Sequence, residues 1–104
     1  MIVDMRFPVS LFRVEGDSME PSLHNGDYVV LNRLSYLLSA PKKGDIVVLK
    51  SPVGESIFIK RITKTSGRKR YFVEGDNKKH SVDSRHFGPV SIDKILGKVI
   101  FRIK

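Results

Sequence analysis

The sequence predicts a small, mostly β protein: an antiparallel β-barrel or folded sheet with one or two short helical turns. Two observations lead to this fold class. Gly-Asp occurs four times, at 16–17, 26–27, 44–45 and 75–76, each time beside a run rich in Val, Ile, Phe and Tyr. Glycine supplies unusual backbone angles and aspartate bonds its own backbone, so these dipeptides are typical of turns. Short β-rich runs separated by turns indicate an antiparallel barrel or sheet.

The elements follow from this pattern in chain order. Residues 66–69 (Ser-Gly-Arg-Lys) predict a hairpin turn, and short helical turns are expected over residues 21–24 and over residues 91–96, with Ser91 as cap. Residues 34–43 are interpreted as an irregular connection. The β-rich runs predict six strands, at residues 12–15, 28–32, 45–50, 56–64, 70–74 and 96–103.

Length and composition narrow the class of protein. The 104 residues predict one domain, residues 1–104, with a single modest core. The absence of cysteine excludes disulfides, cysteine nucleophiles and thiolate metal sites. A formal net charge of +8 favours an anionic partner, although it also serves solubility. No stretch approaches the roughly 20 apolar residues of a membrane-spanning helix. We therefore expect no transmembrane segment in this chain, and a cytoplasmic or peripherally membrane-associated location.

Ser18 is the first candidate catalytic residue, because it follows the turn Gly16-Asp17 between two predicted strands. A serine hydroxyl is a poor nucleophile until a base takes its proton. The chain has three histidines, but the sequence around Ser18 lacks the Gly-x-Ser-x-Gly elbow and the chain is too short for an α/β-hydrolase. These observations argue against a Ser-His-Asp triad and leave lysine as the second candidate base.

Lys60 is the lysine considered as the base, and it lies inside a predicted strand. Side-chain alternation places it on one face with Phe58 and Ile62, so its neighbours on that face are apolar. Burial there would disfavour the charged amine, lower its pKa and produce a base that works near physiological pH. On this pattern alone, a lysine whose ammonium group extends into water is the more usual arrangement.

Residues 75–89 are dense in polar groups. Asp83 and Arg85 are expected to pair and hold this loop rigid, and Ser81 or Ser84 is expected to hydrogen bond an amine. A plain polar loop with Asx turns is the alternative that composition favours.

Three stretches together resemble the motifs of bacterial type I signal peptidases. Residues 16–23, Gly-Asp-Ser-Met-Glu-Pro-Ser-Leu, resemble the nucleophile box, and residues 58–62, Phe-Ile-Lys-Arg-Ile, resemble the lysine box. Residues 75–89, followed by 95–99, are similar to the C-terminal box. The resemblance implies a serine endopeptidase with a Ser/Lys dyad on a β-rich fold, without metal or cofactor.

The resemblance also implies a role for each matched residue. The nucleophile would be Ser18 and the general base Lys60, whose amine Ser81 would orient. The N–H of Ser18 would be one oxyanion-hole donor, while a second donor is unassigned because glycine stands two residues before the nucleophile. Supporting residues would be four charged side chains: Arg61, Asp76, Asp83 and Arg85. Substrate-binding residues would surround the nucleophile: Gly16, Asp17 and Met19. Met19 would form part of the floor of the substrate site.

The implied function is removal of an N-terminal leader or propeptide from a precursor polypeptide. The chain departs from anchored members of the family, because only 17 residues precede Ser18 and a single hairpin separates the lysine box from the C-terminal box. It therefore resembles minimal members, such as nickel-type superoxide dismutase maturation proteases, more than mitochondrial inner-membrane peptidases.

Two alternatives are weighed against this function. A self-cleaving Ser/Lys repressor would need a DNA-binding domain and an Ala-Gly or Cys-Gly site, and the sequence has neither. A basic β-barrel module could instead bind nucleic acid or an anionic membrane without catalysis. We interpret its basic-aromatic cluster as a solvated hairpin tip and expect no nucleic acid, while peripheral contact with an anionic membrane stays open. The cluster comprises Lys64, Arg68, Lys69, Arg70, Tyr71 and Phe72.

Overall fold

The computed structural model describes residues 8–103. Within them, one seven-stranded antiparallel sheet has the strand order β1-β2-β7-β3-β4-β5-β6 and curls into a half-barrel. This architecture confirms the predicted mostly β, antiparallel fold. The strands are β1 (Val9–Arg13), β2 (Tyr28–Asn32), β3 (Ile46–Lys50), β4 (Ile57–Thr65), β5 (Arg70–Glu74), β6 (Val90–Ser91) and β7 (Ile95–Ile103).

Helical structure is short throughout the described residues. Two α-helices, α1 (Ser35–Leu38) and α2 (Ser84–Phe87), accompany two 3-10 turns, Lys78–His80 and Ile92–Lys94. The second 3-10 turn falls within the predicted helical segment 91–96. No helix in residues 8–103 has the length and apolar character needed to cross a membrane.

Some predicted elements are wrong in detail. α1 lies in the segment predicted to be irregular, because a helix of four residues is too short to leave a periodic pattern in the sequence. Residues 18–22 form a turn, closed by a hydrogen bond from the Leu23 N–H to the Met19 carbonyl, rather than a helix starting at residue 21. Ser91 occupies the N-cap position before residue 92, but its side chain makes no capping hydrogen bond.

The first strand is also shifted toward the N-terminus, since β1 covers residues 9–13 instead of 12–15. By contrast, β2 and β5 have the predicted bounds. The hairpin between β4 and β5 forms as predicted: the Ser66 N–H donates to the Arg70 carbonyl at 2.9 Å, and Gly67 has a φ of +83°.

Two hydrophobic clusters pack against the sheet. Because neighbouring residues of a strand point to opposite faces, Val47 and Val48 of β3 belong to different clusters. Ile59 and Ile62 of β4 are three residues apart, so they also point to opposite faces and belong to different clusters. Strand β4 therefore separates the two clusters, and its polar residues lie between apolar neighbours. This strand carries the lysine on which the candidate site is built.

Candidate active site

Lys60 is buried on β4, opposite Val47 of β3, with 4% of its side chain exposed. Its amine nitrogen lies 5.3 Å from the ring centroid of Phe58, which stacks on Phe87 at 6.3 Å. Phe58 and Ile62 lie on the predicted face. The alternative in which the ammonium group extends into water is therefore wrong for this lysine.

Ser81 holds the amine. The Lys60 Nζ donates to the Ser81 Oγ at 3.0 Å, and the Gly75 N–H donates to the same oxygen at 3.1 Å. The Ser81 hydroxyl in turn donates its own proton to Asp83 Oδ2 at 2.7 Å. Because that proton is committed to the carboxylate, the hydroxyl accepts from the lysine, and the direction of the Lys60 bond is fixed.

Asp83 anchors this chain of hydrogen bonds and is fully buried. Burial would raise its pKa, but hydrogen bonds from Arg85, Ser81 and the Gly75 N–H outweigh burial and hold the pKa of Asp83 well below its usual value. The Arg85 Nε lies 2.9 Å from Asp83 Oδ1, so the predicted pair forms. The same carboxylate caps α2, which explains why the loop turns into a helix at this point.

Burial lowers the pKa of the Lys60 amine, because the desolvated site disfavours the ammonium form. The Asp83 carboxylate acts in the opposite direction, and the Arg85 guanidinium lowers the pKa further. The net shift is downward. A lysine in this environment releases its proton at a lower pH than a solvated lysine does.

Ser18 lies half-buried on the turn between β1 and β2. Its carbonyl oxygen accepts a hydrogen bond of 2.8 Å from the Asn77 N–H, and the Asn77 side chain donates to the Asp17 carbonyl at 3.1 Å. At the start of the turn, Gly16 has a φ of +81°, which favours glycine. The Gly16 N–H donates to the Asn25 side chain at 2.8 Å.

Gly75 is the point where the serine turn and the lysine support converge. A Cβ atom on Gly75 would lie 2.6 Å from the Ser18 carbonyl oxygen and 2.6 Å from the Ser81 Cβ, and would also overlap the Ser81 Oγ. Only a residue without a side chain permits this approach. The backbone of Ser18 and the side chain of Ser81, which holds Lys60, therefore both pack against one glycine.

Arg61 and Asp76 form a second polar cluster. Asp76 accepts from the Arg61 Nε at 2.9 Å and from the Arg61 Nη2 at 2.8 Å. This paired hydrogen bonding lowers the pKa of Asp76, despite partial burial, and the hydroxyl of Ser22 adds to the effect from 2.6 Å. Arg61 also donates to the Gly44 carbonyl at 2.9 Å. The cluster connects β4 to the turn that carries Ser18.

The predicted substrate residues Gly16, Asp17 and Met19 flank the nucleophile along the chain. Met19 is 1% exposed and packs in the hydrophobic cluster with Phe12 and Val14. Asp17 is exposed. Their roles in substrate binding stay predictions, as do the catalytic roles of Ser18 and Lys60.

Some contacts of the candidate site were undecided from the sequence, and others were missed. Of the two serines considered for the amine, Ser81 binds it, while Ser84 accepts a hydrogen bond from the Val73 N–H at 2.8 Å. Asn77 and Ser22 received no role, although both contact the Ser18 turn or its support. The only signal for them was their position inside the two serine-containing motifs.

Neither aromatic ring of the basic-aromatic hairpin is fully exposed. Tyr71 is 6% exposed, and the Lys64 amine lies 4.7 Å from the ring centroid of the partly buried Phe72. Nucleic-acid modules that read single strands stack bases on exposed aromatic faces. Across the described part of the chain, no cluster of three or more His, Asp or Glu side chains is arranged for a metal ion.

The fold and the site define a mostly β protein in which one glycine contacts both a serine-bearing turn and the serine that hydrogen bonds a buried lysine. The chain belongs to the signal peptidase family: the family described as "Signal peptidase, peptidase S26" matches residues 1–69 and 65–104. This membership confirms the resemblance drawn from the three boxes.

Curated relatives are mitochondrial inner-membrane proteases. The chain is similar to mitochondrial inner membrane protease subunit 1 of Mus musculus, with 33% identity over 108 residues, covering 85% of this chain and 65% of the relative. It is 41% identical over 102 residues to subunit 2 of Mus musculus, covering 77% and 58%. It is 31% identical over 121 residues to mitochondrial ATP-independent inner membrane protease subunit 1a of Arabidopsis thaliana, covering 94% and 72%.

The chain thus spans about two thirds of the length of the first of these relatives, at 65%. All three relatives are mitochondrial proteases, the group that the sequence was expected to resemble less than it resembles the minimal members of the family. The narrower resemblance to nickel-type superoxide dismutase maturation proteases stays a prediction.

Proposed function

We propose that this protein is a serine endopeptidase that removes an N-terminal leader or propeptide from a precursor polypeptide, with Ser18 as nucleophile and Lys60 as general base. The observation that carries the proposal is the buried Lys60 amine, 4% exposed and held at 3.0 Å by Ser81. Membership of the signal peptidase family supports it.

The first chemical step is acylation. The neutral Lys60 amine accepts the proton of the Ser18 hydroxyl as the Ser18 oxygen bonds to the carbonyl carbon of the substrate. The resulting tetrahedral intermediate collapses, the carbon–nitrogen bond breaks, and the Lys60 ammonium returns its proton to the leaving amine. The new N-terminus of the mature protein departs and the leader stays esterified to Ser18.

The second step is hydrolysis of the ester. Lys60 takes a proton from water, and the resulting hydroxide bonds to the ester carbonyl carbon. Collapse of this intermediate breaks the bond to the Ser18 oxygen, which recovers its proton from Lys60, and the leader leaves as a carboxylic acid. The N–H of Ser18 is the proposed donor to the oxyanion in both steps.

Ser81 and Asp83 prepare the base for this work. One N–H of the amine is held by the Ser81 oxygen, so the orientation of the neutral nitrogen's lone pair is restricted. Asp83 keeps the Ser81 proton on its own side, at 2.7 Å. The Lys60 lone pair therefore remains available for the proton of Ser18.

The proposed substrate segment is extended and adds to the edge of the sheet. β1 is an edge strand in the described sheet, and the chain continues directly from it into the Ser18 turn. Peptides that pair with an exposed strand edge gain main-chain hydrogen bonds, while side-chain pockets supply specificity. This arrangement would carry the scissile bond past Ser18.

The experiment that tests the proposal is cleavage of candidate precursors followed by intact-mass analysis. Wild type is expected to release a leader peptide, and Ser18→Ala and Lys60→Met are expected to release none while remaining folded by circular dichroism. Lys64→Met is the matched control, because Lys64 is exposed on the same strand. Cleavage by Lys60→Met at the wild-type rate would refute the dyad.

A peripheral contact with an anionic membrane is the second part of the proposal. α1 exposes Leu37 at 75% and Leu38 at 96%, and Lys42 and Lys43 lie exposed shortly after it. Exposed leucines beside basic side chains match a bilayer interface with acidic headgroups, where each basic residue contributes about 1 kcal/mol. The curated relatives named above are inner-membrane proteases.

Sedimentation with lipid vesicles tests this contact. Wild type is expected to bind vesicles containing phosphatidylglycerol more tightly than vesicles of phosphatidylcholine alone, and the Leu37→Ser/Leu38→Ser variant is expected to bind more weakly. Val53→Ser is the control, because Val53 is as exposed as Leu37, at 75%, but lies in a different loop. Equal sedimentation of all variants with both vesicle types would remove this part of the proposal.

A further inference from the structure

Ser22 lies where three segments of the fold meet, and neither its hydroxyl nor its carbonyl contacts belong to the chemistry described above. We propose that Ser22 and Arg102 are positioning residues that hold the Ser18 turn against the strand carrying Lys60. This inference rests on the proposed function, since positioning matters for catalysis only if Ser18 is the nucleophile.

The first attachment runs through the Ser22 hydroxyl. It donates to Asp76 Oδ2 at 2.6 Å, across 54 residues of sequence. Asp76 is bound at 2.8 and 2.9 Å by Arg61, the residue that follows Lys60 on β4. The path from Ser22 to the lysine strand therefore consists of short hydrogen bonds, two of them between charged groups, which are the stronger kind.

The second attachment comes from β7. The Arg102 Nη1 donates to the Ser22 carbonyl at 2.9 Å, across 80 residues, and lies 3.7 Å from Asp27 Oδ2 at the end of the same loop. β7 pairs with both β2 and β3 in the centre of the sheet. Ser22 is thus held by its side chain toward β4 and by its backbone toward β7.

Both attachments act four residues after Ser18, at the other end of a compact turn. The Leu23 N–H closes that turn on the Met19 carbonyl at 3.0 Å, and the buried side chains of both residues pack in one hydrophobic cluster. A shift of Ser22 is therefore transmitted to the Ser18 backbone. A displacement of about 1 Å between reacting groups can reduce a rate by about a hundredfold.

The test compares Ser22→Ala, Ser22→Thr and Arg102→Gln with Lys98→Gln, which removes a positive charge from the same strand as Arg102 but from a different partner, Asp45. For Ser22→Ala and Arg102→Gln, kcat on a precursor peptide is expected to fall about 10- to 100-fold with KM within about twofold. Ser22→Thr keeps a hydroxyl and is expected to retain kcat within about threefold, as is Lys98→Gln.

The pH profile and hydrogen exchange separate positioning from a general loss of structure. The acid limb of kcat/KM is expected to stay in place in Ser22→Ala, because the hydrogen bonds of Ser22 go to Asp76, Arg61 and Arg102 and not to the Lys60 environment. Amide exchange in a peptide covering residues 18–25 is expected to rise in Ser22→Ala and Arg102→Gln but not in Ser22→Thr.

Exchange rates that are unchanged in both variants would overturn the inference, as would faster exchange with kcat within twofold of wild type. Equal losses in Ser22→Ala and Ser22→Thr would also overturn it, because the hydroxyl would then not be the cause. Failure of the proposed function has a different signature: wild type and Ser18→Ala would both leave every precursor intact, and the exchange result would still decide whether the two residues hold the turn.

Discussion

The amine of Lys60 donates a buried hydrogen bond of 3.0 Å to the hydroxyl of Ser81. The hydroxyl cannot be the donor, because its proton is held by Asp83 at 2.7 Å. This relationship gives the lysine one fixed N–H direction and leaves the lone pair of the neutral amine free. The predictions below follow from that arrangement and from the burial of the amine.

The rate of cleavage is expected to depend on the protonation of Lys60. Burial lowers the pKa of Lys60, so kcat/KM should rise with pH as the ammonium loses its proton and then reach a plateau. The midpoint should lie below the value of about 10.4 for a solvated lysine. A pH–rate profile on a precursor peptide measures it, and a rate that is flat with pH, or that falls as pH rises through this region, would contradict the assignment.

Stability should depend on pH through the same residue. Between the lowered pKa of folded Lys60 and the unfolded value of about 10.4, the unfolded chain binds more protons, so the free energy of unfolding should rise with pH. Below this window the full cost of a buried charge is present. Urea unfolding of wild type and Lys60→Met across the window measures the effect. The variant should lack this rise. If the free energies of unfolding of wild type and variant instead change with pH in parallel, Lys60 is not desolvated.

Asp83→Asn should weaken both the fold and the base. The carboxylate is fully buried and accepts hydrogen bonds from Ser81, Gly75 and Arg85, so loss of its charge should cost about 1–3 kcal/mol of unfolding free energy. The negative charge of Asp83 raises the pKa of Lys60, so the acid limb of any residual activity should move to lower pH. Urea titration and a pH–rate profile test the two effects, and a limb that moves to higher pH would be inconsistent with this electrostatic relationship.

Gly75→Ala should disrupt the junction between the serine turn and Ser81. The added methyl group would overlap the Ser18 carbonyl and Ser81 at distances that the packing cannot absorb, and we expect a loss of about 1–3 kcal/mol together with most of the activity. Gly54→Ala is the matched control, because nothing lies within 4 Å of a Cβ at Gly54. Thermal unfolding and a cleavage assay report the two effects. Equal behaviour of the two variants would mean that the segments do not pack as described.

Local patterns were sufficient to predict part of this structure. Alternation along a strand was enough to place Phe58, Lys60 and Ile62 on one face, because the period of two is a property of the backbone. The pair of Asp83 and Arg85 was predictable from a spacing of two residues. The β-rich runs indicated most strands for the same local reason.

Contacts between distant segments were not predictable in the same way. The bonds from Ser22 to Asp76 and to Arg102 span 54 and 80 residues, and no local pattern encodes them. The selection of Ser81 rather than Ser84 depends on how the loop folds over β5. α1 has only four residues and β6 only two, so neither is long enough to leave a periodic signal.

The most direct test of the central claim is an NMR titration of the Lys60 side chain, with the resonance assigned by its loss in Lys60→Met. We predict that the Lys60 amine titrates at a pH lower than the solvated lysines of the same protein, because burial disfavours its ammonium form. A Lys60 resonance that titrates together with those lysines, near about 10.4, would contradict the account of Lys60 as a neutral base.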